Sequence, residues 1–161
     1  MSFQTQVNIT PALGQPGDFA TNNPYSTLPG EAGQYVAGTG GVGVGLFAWL
    51  QADGKSLLNS GGAGIVPNGI IHRELNAQIT TFLAESGVTI QAGQTVNPHT
   101  KGDYFVVSTV AASVVGNKAF ANLATGAMQP GAAGAVIAGF IETPYVITSP
   151  CAIGELAIIS L

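Results

Sequence analysis

Charge is what this sequence lacks most. Only 7% of its 161 residues are Asp, Glu, Lys or Arg, against about 25% in an ordinary soluble domain. Eight acids and four bases stand singly along the chain, with no run of either sign. Lys55, Arg73, Lys101 and Lys118 are the whole basic complement. Phosphate backbones and anionic lipid surfaces are held by clustered Lys and Arg side chains, so nucleic acid and membrane are not expected as partners.

Cysteine is nearly absent as well. The single Cys151 forbids an intrachain disulfide and with it the stapled framework of small secreted domains. It lies between Pro150 and the apolar pair Ala152-Ile153, which reads as a buried, inert thiol. No apolar stretch reaches the roughly 20 residues of a membrane helix. The first residues, Met1-Ser2-Phe3-Gln4-Thr5-Gln6, show neither the basic nor the apolar segment of a secretory signal, and synthesis in a cytoplasm is the expectation.

The scarcity of ionisable groups also limits chemistry. His72 and His99 have no metal-ligand spacing to another His, Cys or carboxylate, and a zinc site needs three or four convergent ligands. His72 and Glu74 would share one face of a strand as an acid–base pair, but with Arg73 between them they read better as a polar surface cluster. Gly-x-Ser-x-Gly is missing, and neither a Ser/His/Asp nor a Cys151–His99 arrangement is supported. Gly38-Thr39-Gly40-Gly41-Val42-Gly43 fits G-x-G-x-x-G formally. The strand-like Val44 to Trp49 follows it where a dinucleotide loop needs a helix, and no Gly-Lys-Ser/Thr follows either. The expectation is a non-enzymatic protein without cofactor or metal.

What is present is apolar and small: 46% hydrophobic residues and 23 glycines. A folded chain of this kind exposes a weakly polar surface, which partners usually cover. The alternative is a monomer kept soluble by Ser, Thr, Asn and Gln. Val42, Val44 and Leu46 alternate with Gly41, Gly43 and Gly45, the period of a strand, over a Gly33–Leu50 segment. Strands are also predicted at Gly87–Ile90, Asp103–Val115, Ala135–Ile141, Tyr145–Ile147 and Leu156–Leu161, with turns at Asp53-Gly54, Gln91-Ala92-Gly93 and Lys101-Gly102. Ile70–Glu85 is ambiguous, with apolar residues at helical spacing but β-branched ones among them, so at most one short helix is expected. Ala and Gly dominate Ala111–Ala138, a low-complexity stretch suited to close packing. Pro11, Pro16, Pro24 and Pro29 make residues 1–28 an extended N-terminal arm. Residues 29–161 then form one β-rich domain, an antiparallel sandwich or barrel.

The order of motifs along nearly the whole chain resembles the tailed-phage structural cement, or capsid decoration, proteins. The resemblance is carried by Gly14-Gln15-Pro16-Gly17-Asp18-Phe19-Ala20 with Asn23-Pro24, by Gly40 to Trp49, and by Asn68-Gly69-Ile70-Ile71-His72-Arg73-Glu74. Ile79 to Leu83, Lys101 to Phe105, Glu142-Thr143-Pro144-Tyr145 and Gly154 to Ser160 continue it. Leu46 departs from the pattern, since relatives often carry a basic residue there, and no salt bridge is carried over to it. The resemblance implies binding to the major capsid protein lattice, typically as homotrimers at local three-fold positions on the outside of the virion, with no catalysis. Candidate partner-interface residues are Gly17, Asp18, Phe19, Phe47, Trp49, His72 and Arg73; Phe47 and Trp49 are equally suited to the core. The competing function is a displayed carbohydrate- or host-recognition module in which Trp49, Tyr35 and Tyr145 stack on sugars.

Overall fold

The computed structural model describes residues 13–31, 33–79 and 88–161. Fourteen strands run in chain order: β1 (Ser26–Thr27), β2 (Val36–Ala37), β3 (Val42–Gly43), β4 (Phe47–Leu50), β5 (Ser56–Leu58), β6 (Gly69–Ile71) and β7 (Ala77–Ile79). After them come β8 (Val88–Ile90), β9 (Pro98–Lys101), β10 (Asp103–Val107), β11 (Lys118–Asn122), β12 (Met128–Gly131), β13 (Phe140–Ile147) and β14 (Leu156–Ser160). No helix occurs among the described residues. Ile70–Glu85 enters as β6 and continues into β7; its residues from 80 onward lie outside the described ones.

The strands make three sheets, ordered β1-β9-β6-β4-β5-β2, β10-β14-β13-β11-β12 and β3-β8-β7. Every ladder is antiparallel except β2 with β5. The six-stranded sheet is the middle layer. On β4, Phe47 and Trp49 face a core completed by Tyr104, Val106, Tyr145 and Ile159 of the five-stranded sheet. Ala48, between them, faces a second core with Val42, Val44 and Ile90 of the three-stranded side. Ile70 and Ile71 of β6 divide in the same way. Successive side chains of a strand point to opposite faces, so a strand covered on both sides buries consecutive apolar residues. That is why Phe47-Ala48-Trp49 and Ile70-Ile71 show no polar alternation.

The barrel alternative is not realised. The edge strands β10 and β12 approach at a single Ser108–Met128 bridge, and no ladder closes the five-stranded sheet. Gly33–Leu50 is not one strand but three, β2, β3 and β4. Gly40, Gly41 and Gly45 have φ of 92°, 80° and 71°, values that turn the chain and pass it between sheets. The Asp103 strand ends at Val107, and the apolar Ser108–Asn117 and Ala132–Gly139 segments are loops. The Ala/Gly-rich stretch conceals β11 and β12, whose small residues let Phe120 and Met128 bury fully. Pro144 sits inside β13 where the pairing with β11 slips between Lys118 and Phe120, an irregularity that tolerates the missing N–H.

Candidate partner-binding surface

The segment from Gln15 to Thr27 is stitched to its own chain. Gly17 N–H donates to Phe105 O (2.8 Å), Phe105 N–H to Asp18 O (3.0 Å) and Ala20 N–H to Asp103 O (2.9 Å). These bonds lay the segment along the free edge of β10, and β1 then pairs with β9. Gly17 O accepts from Arg73 N–H (3.1 Å) and from His72 Nδ1 (2.7 Å). A carbonyl only accepts, so Nδ1 of His72 carries its proton. Gly17 has φ 85°, and a Cβ there would lie 2.4 Å from Val44 Cγ1 and 2.9 Å from Gly45 N. The closeness of the two backbones requires both glycines.

Asp103 fastens the strap further on. Its Oδ2 accepts from Thr21 Oγ1 (2.5 Å) and Asn23 Nδ2 (2.6 Å). Burial raises the Asp103 pKa, but hydrogen bonds from Ser160, Thr21 and Asn23 outweigh it and the net shift is downward.

Phe19 sets its ring on a cluster of His72 (4.1 Å between centroids), Tyr25 (4.6 Å), Tyr104 (5.4 Å) and His99 (5.7 Å). The two histidine rings are 5.1 Å apart. Tyr104 Oη donates to Lys101 O (2.9 Å) and therefore accepts from His99 Nδ1 (2.7 Å). Burial, with the neighbouring His72 adding to it, depresses His99 to about 4. Burial likewise pushes the Tyr104 and Tyr145 phenols upward. His99 and Tyr104 support the strap from below, and nothing in their spacing within the sequence signals it.

Above this cluster lies an open cleft of about 780 Å³, lined by Asp18, His72, Arg73, Glu74, Leu75 and Asn76. Arg73 and Asp18 form a part-exposed ion pair at 3.8 Å, a contact worth at most about 1 kcal/mol. Glu74 Oε1 accepts from Asn97 Nδ2 (3.1 Å) while His72 is held by Gly17, so the two side chains have separate partners. Among the described residues no three His, Cys, Asp or Glu side chains gather as metal ligands.

Of the candidate interface residues, Asp18, His72 and Arg73 thus line one cleft, while Gly17 holds His72 and Arg73 through its carbonyl and Phe19 packs on the His72 ring. Phe47 and Trp49 are elsewhere, at 1% and 2% exposure in the core, and present no side chain to a partner. The rings considered for sugar stacking are also buried. Trp49 Nε1 donates to Ile65 O, Tyr35 Oη to Pro29 O and Tyr145 Oη to His99 O. Gly61 covers Trp49 so closely that a Cβ would lie 2.4 Å from the indole. Cys151 is half-buried, with Sγ accepting from Ser113 Oγ (3.2 Å).

A family model described as XM1 gp53 minor capsid protein matches residues 3–161. The chain belongs to this family. Among solved structures, a chain of the capsid of Myoviridae phage XM1 superposes with a TM-score of 0.69 over 99% of this chain and 97% of that one. The identity is 18%, so that likeness bears on the fold. No curated protein matches. Membership of the minor capsid protein family makes the chain a phage capsid structural protein, in line with the phage-head resemblance of its motifs.

Proposed function

We propose that the chain is a capsid decoration, or cement, protein. It binds the assembled major capsid protein lattice on the outside of the head, as a homotrimer at local three-fold positions, and stabilises the shell without catalysis. The observation that carries this reading is the family match along residues 3–161. The chemistry agrees with it. Charged residues are depleted at the cores of protein interfaces, and this chain has few to place there. Synthesis in the host cytoplasm and incorporation into the virion follow from the same reading.

The mechanism is mass action. A protein that binds the assembled shell and not its separated subunits shifts the equilibrium toward the shell. A trimer touching several capsid subunits makes each contact after the first effectively intramolecular. The candidate contact to the lattice is the cleft of Asp18, His72 and Arg73. The test is the solution mass of the purified protein followed by co-sedimentation with expanded capsids. A trimer that pellets at a fixed ratio to the major capsid protein supports the proposal; a monomer left in the supernatant sinks it.

A further inference from the structure

The strap covers two histidines and is fastened by groups that respond differently to acid. His99 is 4% exposed although β9 is only one strand in from the edge of the middle sheet. Two strap rings enclose it, Tyr25 at 5.4 Å and Phe19 at 5.7 Å between centroids. His72 at 5.1 Å and Tyr104 at 5.5 Å complete the enclosure. Half of the rings around His99 therefore belong to the strap. The charged groups of the surrounding elements are engaged elsewhere: Asp18 with Arg73, Glu74 with Asn97, and Asp103 of β10 with Thr21 and Asn23. Lys101, at the end of β9, is exposed, and from β13 Tyr145 brings only its hydroxyl to His99 O. The Arg73–Asp18 contact is the only ion pair among the described residues, so neither imidazole has a carboxylate in place to receive its charge.

We propose that the strap is an acid-operated latch: protonation of His99 lifts Phe19 and Tyr25 off its ring, while Asp103 keeps the segment tethered at Thr21 and Asn23 between them. A buried imidazolium without a partner is unfavourable, and the charge is relieved by letting water in. The strap is the part that can yield. Near Phe19 it is held by main-chain hydrogen bonds along one sheet edge and by the His72 bond to Gly17 O, whereas Tyr104 is built into β10. The tether resists acid, because the Asp103 carboxyl is shifted downward and stays ionised at pH 5. Enclosed, His99 takes its proton near 4; hydrated, near 6.5. The closed strap is thus fully favoured above pH 6.5 and loses that advantage as the pH falls toward 4. Between pH 7 and pH 5 the ratio of open to closed strap rises about 20-fold. Asp18 and His72 line the cleft, so opening reshapes it. An effect on capsid binding rests on the reading of that cleft as the lattice contact; the latch itself does not.

The test is hydrogen exchange of the intact chain at pH 7 and pH 5, corrected for intrinsic rates, with and without low urea, on the wild type and His99→Gln. The wild-type amides of Gly17 and Phe105 are expected to lose about 20-fold in protection at pH 5 with little dependence on urea, the mark of a local opening. Amides of β11, paired on both sides, follow global unfolding and respond to urea. Strap amides that exchange only together with β11 and with the same urea dependence overturn the latch. Equal strap protection at both pH values overturns it, and so does an equal loss in His99→Gln. Where circular dichroism shows that His99→Gln does not fold, the pH and urea dependence of the wild type decide alone. Co-sedimentation with expanded capsids reads the consequence separately. Wild-type binding that is lost at pH 5 and retained by His99→Gln supports control of the cleft by the latch. Unchanged binding while the strap opens overturns the cleft as lattice contact and leaves the latch standing, and no binding at either pH overturns the capsid reading alone.

Discussion

Lowering the pH from 7 to 5 is expected to remove about 2 kcal/mol of folding stability through one side chain, His99. The ring is 4% exposed, packed among Phe19, Tyr25 and Tyr104, and depressed from 6.5 to about 4 by burial and by His72. In the unfolded chain it takes up a proton near 6.5, and in the folded chain only near 4. Unfolding therefore binds a proton between those values. The stabilisation is complete above pH 6.5 and is lost as the pH falls toward 4. Linkage gives about 1.4 kcal/mol per pH unit across the middle of that window, hence about 2 kcal/mol between pH 7 and pH 5. Asp53 and Asp103, both shifted downward, stay ionised over this range and contribute little. The assay is urea unfolding followed by the single, buried Trp49, at one protein concentration because assembly also shifts the midpoint. His99→Gln keeps a donor for Tyr104 and abolishes the titration. A wild type equally stable at both pH values, or a His99→Gln variant with the same loss, refutes the reasoning.

Gly61→Val is expected to cost about 1–3 kcal/mol, the usual range for overpacking, because its Cβ would meet the indole of Trp49 at 2.4 Å; urea melts and a red-shifted Trp49 emission check it. Asp103→Asn leaves the donors of Thr21 and Asn23 competing for one neutral acceptor and is expected to cost about 1.5–3 kcal/mol, with hydrogen exchange rising first at residues 20–27.

The all-β class was legible because short apolar runs separated by glycine turns fit little else. The layering was not. Phe47-Ala48-Trp49 and Ile70-Ile71 look like undifferentiated apolar runs until two sheets are seen to cover the middle one from opposite sides. The long Gly33–Leu50 strand failed on positive φ at three glycines, a property that glycine permits and a sequence does not display. For the candidate site, Gly17-Asp18-Phe19 and His72-Arg73, some 55 residues apart in sequence, converge through the Gly17 carbonyl and the Asp18–Arg73 pair, a meeting that the sequence pattern does not display. Asp103 and His99 went unnoticed because their partners, Thr21, Asn23 and Tyr104, are meaningful only once β10 lies under the strap. Within the residues read as an arm, Gly17, Asp18 and Ala20 are hydrogen-bonded to β10 of their own chain, a pairing that the prolines and turn formers there do not announce.

The use of the few charges explains why such a chain is suited to assembly. Six of its eight acids are occupied within the molecule: Asp18 accepts from Gln15 N–H, Asp53 from Lys55 and Ser56 N–H, Glu74 from Asn97 and Asp103 from Thr21 and Asn23. Glu142 and Glu155 hold the loop N–H groups of Gly134 and Ala152. Even Lys118 is spent on Pro144 O. Carboxylates held this way shape the loops and the strap while keeping their charge, and with only twelve charged side chains in 161 residues most of the surface is left to uncharged groups. A surface of that kind gives up few charged groups when a partner covers it, which is why so sparsely charged a chain suits assembly.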